Sequence, residues 1–103
     1  MNDEASTLYA KLLGETAAIS WPELEPFFAR GALLRVAGEA DLVAVATAVA
    51  EDDRSKVEVW LTSGELAKMT AEQAMDWAER RPDLWAVVVA PWVLVQERTA
   101  TAP

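Results

Sequence analysis

Neither cysteine nor histidine occurs among the 103 residues of this chain. Without cysteine there is no disulfide, no thiol nucleophile and no thiolate metal site. Without histidine the side chain that titrates nearest neutrality is missing, and histidine-dependent triads and imidazole metal sites go with it. Acid–base chemistry would fall to a carboxylate or lysine shifted by burial. Glycine is sparse: residues 14, 31, 38 and 64 stand isolated, so no phosphate-cradling loop is present. Positive charge is sparse as well. Nine Lys and Arg face seventeen Asp and Glu, a net charge of −8, and the one adjacent basic pair, Arg80-Arg81, follows Asp76 and Glu79. Phosphate backbones select clustered Lys and Arg. The sequence therefore argues against nucleic acid and against an anionic membrane surface as partners. The longest apolar run is the twelve residues 84–95, short of the roughly 20 that a membrane-spanning helix needs. The opening MNDEASTLYA is acidic and has no signal-peptide pattern, so a cytoplasmic location is expected.

What the chain does have is that run, LWAVVVAPWVLV, rich in valine and tryptophan and therefore strand-like. Leu84, Ala86, Val88, Ala90, Trp92 and Leu94 alternate with Trp85, Val87, Val89, Val93 and Val95, so both faces of the strand are apolar and both must be covered. Pro91 supplies no N–H to a ladder. It implies either one long strand with an irregularity or two consecutive strands, 84–90 and 92–96.

The remaining chain reads as helices and short strands. Leu8, Tyr9, Leu12 and Ile19 mark a helical stripe over residues 5–19. Ser20-Trp21-Pro22-Glu23 has capping-box spacing and opens a second helix reaching Arg30. Residues 32–36 form a short strand, and Asp41 caps a helix over 42–52. Another helix spans 54–63 before Gly64. A weak strand over 66–69 precedes a second capping box, Thr70-Ala71-Glu72-Gln73, and a helix to Arg80 with Ala71, Ala74, Met75 and Ala78 inward. The order α-α-β-α-α-β-α-β predicts one α/β or α+β domain over residues 1–103, with a polar, frayed tail at 98–103. Its sheet is expected to have three strands, partly parallel, flanked by helices. The first half of the long strand is expected at the centre, and the clearest crossover is the unit 66–90.

The segments ETAAISWPELEPFFARGALLRVA, DLVAVATAVAEDD, VEVWL and WAVVVAPWVLVQE together resemble DUF2288, a domain-of-unknown-function family of small bacterial proteins. The resemblance spans residues 12–97, and the WPELEPFFARG and PWVLVQE blocks are its most specific parts. It implies a stand-alone bacterial protein of the cytoplasm. It brings no catalytic, metal or ligand residues.

Among candidate sites, Glu51-Asp52-Asp53 is the densest carboxylate cluster and offers hard oxygens of the kind that bind Mg²⁺ or Ca²⁺. Consecutive side chains splay apart, however, and Arg54 and Lys56 lie close, so a solvated boundary between helices is the better reading and no metal is expected. Five tryptophans are a heavy load for this length. An indole brings a large apolar face and one N–H needing a partner, which suits a core, a pocket or an interface. Trp60 and Trp85 lie within apolar patterns and read as core. Trp92, beside the ladder-breaking proline, reads as a pocket rim or interface. Trp77, on the flank of its helix, is a weaker pocket candidate. Arg35, a charge inside a short strand, suits an anion site, a pair with a carboxylate such as Glu97, or a sheet edge.

Three functions fit. The favoured one is a homo-oligomeric interaction or scaffold protein, a dimer joined through Trp92, Val93, Leu94 and Val95. Two other short strands cannot flank both edges of the long one, and an open apolar edge invites a second copy. The second is a small-ligand binder with a tryptophan-lined pocket. The third, a carboxylate and metal enzyme, ranks last because histidine and cysteine are absent. No cofactor is implied, and the acidic charge is compatible with a further protein partner.

Overall fold

Pro91 divides the apolar run into two strands that fold back on each other. In the computed structural model, which describes residues 3–98 and side chains from Thr7 onward, Leu84–Val89 and Trp92–Glu97 pair antiparallel, Val89 opposite Trp92. Pro91 therefore sits in a two-residue hairpin loop, where no ladder N–H is required. The elements in chain order are α1 (Asp3–Glu15), β1 (Ala17–Ile19), α2 (Trp21–Ala29), β2 (Leu33–Val36), α3 (Leu42–Ala50), α4 (Arg54–Ser63), β3 (Leu66–Lys68), α5 (Ala71–Arg80), β4 (Leu84–Val89) and β5 (Trp92–Glu97). Most of the expected tail, residues 99–103, lies outside the described residues.

The fold is α+β, with five strands where three were expected, in the order β1-β4-β5-β2-β3. β2 runs parallel to β5, and the other neighbours are antiparallel. The centre is thus β5, the second half of the apolar run and not the first. β3 and β4 are not neighbours, so the unit 66–90 is not the parallel crossover it resembles. The unforeseen strand is β1. The helical stripe was expected to continue to Ile19, but α1 stops at Glu15 and the Thr16 hydroxyl donates to the Leu12 carbonyl at 2.8 Å. Residues 17–19 then pair with β4. Backbone groups along the β4 edge need partners, and that need outweighs the helix preference of two alanines.

Helices cover both faces of the sheet. On one, Leu34, Val36, Leu66, Val87 and Leu94 pack against Leu12 of α1 and Leu42, Val43, Val45 and Ala46 of α3, with Val57 and Trp60 of α4 at the margin. On the other, Leu33, Leu84, Ala86, Val93 and Val95 pack against Trp21 and Leu24 of α2 and Ala74 and Trp77 of α5. α5 is thus rotated from the face expected of it: Trp77 is buried while Met75 is exposed. A rotation that turns the indole to the sheet buries more apolar area than one that buries a methionine. Its N-terminus is held by a complete capping box, the Gln73 N–H donating to Thr70 Oγ1 and the Thr70 N–H to Gln73 Oε1, both at 3.1 Å.

The segment Trp92–Val95, expected at a dimer interface, is mostly enclosed by its own chain. Val93, Leu94 and Val95 are buried within their own chain, and β4 and β2 occupy the two edges of β5. β1 and the hairpin supply the flanking strands that seemed to be missing. Leu94 is fully enclosed at the centre of the sheet. Leu94→Ala should destabilise the chain by about 2–5 kcal/mol, the cost of a large-to-small change in a core that collapses only in part. Urea unfolding followed by far-UV circular dichroism gives the value; a loss under 1 kcal/mol would mean that β5 is not the core strand.

Candidate functional site

Between the hairpin loop and the helices above it lies an open cleft. It holds about 890 Å³. Val89, Ala90, Pro91 and Trp92 form one wall, Leu34 and Leu66 the floor, Val49 and Ala50 the end of α3, and Val57 and Leu61 the opposite wall on α4. The opening follows from the composition of α4. That helix buries no residue: Val57 and Trp60 reach the core margin, while Leu61 is 51% exposed toward the cleft. Asp52, with φ at 57°, and Gly64, at 87°, turn the chain at its two ends. Asp52 holds an unfavourable conformation for a side-chain-bearing residue, tolerated best by Asp and Asn.

The cleft rim carries Asp52, Arg54, Glu58 and Lys68. Arg54 and Asp52 approach to 3.6 Å, both almost fully exposed, a geometry that adds little to stability. The carboxylate cluster is occupied in capping. Asp53 Oδ1 accepts the Lys56 N–H at 3.3 Å and its carboxylate lies 3.9 Å from Lys56 Nζ. Among the described residues no three Asp or Glu side chains gather closely enough to hold a metal ion.

The other candidates do not converge on this cleft. Trp92 lines it, whereas Arg35 and Trp77 belong to the opposite face. Trp77 is a core residue, packed edge-on to Trp21 with ring centroids 6.1 Å apart. Arg35 lies between Val95 and Ala67 in the register of the sheet. Its anticipated partner Glu97 is taken by Arg80, which also holds Asp76: Nη1 and Nη2 reach Glu97 at 3.0 and 3.2 Å, and Nε reaches Asp76 at 2.9 Å. Arg80 holds the Asp76 carboxyl below its ordinary range. That contribution to stability is present above the ordinary carboxylate pKa and is lost as pH falls through the lowered one. Arg35 Nε is left buried without an acceptor, as is Trp21 Nε1. Trp85, expected in the core, is 37% exposed and stacks under the Arg98 guanidinium at 4.5 Å.

The family model described as "Protein of unknown function (DUF2288)" matches residues 7–97. The chain belongs to this family. The DUF2288 match covers every residue that lines the cleft. The chain is also similar to PA1075 from Pseudomonas aeruginosa, known from an NMR solution structure, at 62% identity and a TM-score of 0.83, over 100% of this chain and 95% of that one. No curated protein matches it. No helix among the described residues of this DUF2288 chain is long and apolar enough to cross a membrane.

Arg35 generates a test of its own. A buried donor without an acceptor costs about 1–3 kcal/mol, and methionine keeps the length of the stem without the donor. Arg35→Met should therefore raise the thermal midpoint by a few degrees, since about 1 kcal/mol corresponds to about 4–8 °C in a domain of this size. A lowered midpoint in differential scanning calorimetry would mean that the guanidinium holds a partner in solution.

Proposed function

We propose that this DUF2288 chain is a cytoplasmic binding protein that takes a small apolar molecule into the cleft between α4 and the β4–β5 loop. One observation carries the reading: an open, mostly apolar cavity of about 890 Å³, walled by Trp92 and Leu61 and rimmed by charge. Small-molecule sites are commonly clefts of about 300–1,000 Å³, apolar within and polar at a few points. Both core clusters are otherwise filled by the chain's own side chains. Occupancy would cover Leu61 and Val57, side chains that α4 leaves only partly buried.

The probe is 1-anilinonaphthalene-8-sulfonate, titrated into the folded chain at pH 7. Saturable one-to-one binding is expected, with amide shifts in ¹⁵N spectra confined to Val57, Leu61, Val89 and Trp92. Leu61→Glu places a charge in the wall at an exposed position, so the fold should persist while binding weakens at least tenfold. Equal binding by the variant, or shifts spread over the opposite face, would remove the cleft as the site.

A second reading, self-association, rests on a different observation from the one that suggested it in sequence. β1 pairs only with Leu84, Ala86 and the Trp85 between them, and the remaining stretch of β4 presents Val88 at 59% exposure. An open apolar edge is a template for a second copy, and a twofold axis would set β4 against itself. A dimer in light scattering at high micromolar concentration that dissociates in Val88→Lys supports this; a monomeric wild type ends it.

A further inference from the structure

The same face of the sheet carries a second cavity at its other end, remote from the hairpin loop. It holds about 420 Å³ and lies between the end of α1, at Leu13 and Thr16, the start of α3, at Leu42, and the paired residues Trp85 and Gln96. Gln96 is the one buried polar side chain in the interior of the described residues, 9% exposed. Its Nε2 donates to the Ala37 carbonyl at 2.8 Å and the Ala40 carbonyl at 2.6 Å. Two carbonyl acceptors fix which end of the amide is nitrogen, and with both N–H groups engaged the amide plane cannot turn. Oε1 is thereby held in one direction. No donor among the described residues reaches it, and Gln96 is among the residues that line the cavity.

The other polar side chains at this end already hold partners within the chain. Asp41 Oδ1 accepts the Val43 and Ala44 N–H groups at 3.0 and 3.1 Å, and Oδ2 accepts the Tyr9 hydroxyl at 3.0 Å. That hydrogen bond to a carboxylate holds Tyr9 protonated above its ordinary range. The Thr16 hydroxyl is turned to Leu12. What the cavity offers a visitor is therefore one rigid acceptor beside a flat wall, the Trp85 indole with the Arg98 guanidinium 4.5 Å from its centroid. An aromatic plane next to a fixed amide oxygen suits a planar ring that bears a donor on its edge.

The geometry points to a second binding site here for a planar heteroaromatic compound carrying a ring N–H or amino group, which stacks against the Trp85–Arg98 pair and donates to Gln96 Oε1. This site is independent of the apolar cleft, and neither requires the other. A buried acceptor that a ligand fails to satisfy is penalised, so the site should reject the same ring without its donor.

The test uses benzimidazole and 1-methylbenzimidazole, which differ in that single N–H, titrated into the ¹⁵N-labelled full chain. Benzimidazole should shift the Gln96 side-chain amide and the Trp85 indole N–H saturably, and the methylated ring should bind about tenfold more weakly. Trp85→Ala, at a partly exposed position, should keep the spectrum of a folded chain and lose the benzimidazole shifts. Equal binding of the two rings, no shift at millimolar concentration, or shifts confined to Leu61 and Trp92 would each overturn the proposal.

Discussion

β5 sets the terms for the rest of the molecule, because the apolar stretch Trp92–Val95 at its start has to be enclosed on two edges and two faces. Val93 and Val95 look to one core, Leu94 to the other, and the strand has neighbours on both sides. Six of the other elements answer these needs directly. β4 and β2 satisfy the backbone, α1 and α3 close one face, and α2 and α5 close the other. Gln96 is a buried polar side chain at the end of this strand, and it ties that end to the loop before α3 through Ala37 and Ala40. A buried amide with both donors engaged fixes that loop in place, since any other position would leave them without acceptors.

α4 is the exception to this enclosure, and the cleft exists because of it. Its sequence, RSKVEVWLTS, has Val57, Trp60 and Leu61 for an apolar side, yet it buries none of them fully. It lies over the outer part of the sheet, between α3 and the edge strand β3, where short strands give it little to cover. Chain turns at Asp52 and Gly64 set it off at both ends.

Much of this was legible from residues alone. Both capping-box sequences open helices where their spacing puts them, Asp41 caps α3, and the apolar run forms the middle of the sheet. The errors share a cause. β1, the position of β5 and the fate of Trp77 and Trp85 all depend on which distant segment lies alongside, and periodicity within a window carries no such information. Thr16-Ala17-Ala18-Ile19 has no strand signature of its own; it becomes one when β4 arrives. An open edge along the apolar run was expected for the same reason, without β1 and the hairpin. For the cleft, Trp92 beside Pro91 was the one legible clue, and for the second cavity nothing in the pattern distinguishes Gln96 from a surface glutamine.

The parallel pairing of β2 with β5 has a bearing on how the protein is made. Leu33 waits for Val93, Leu34 for Leu94 and Val36 for Gln96, so the middle of the sheet joins two segments about sixty residues apart in the chain. Contacts so distant along the chain carry a loop-closure cost that local hairpins escape, and they form late. On the ribosome, the segments that precede β5 would emerge with both apolar layers lacking their shared strand, and the sheet would close only as Trp92–Glu97 clears the exit tunnel. A nascent chain halted before that point would display the valines and leucines that β5 normally hides, a surface suited to chaperone capture or aggregation.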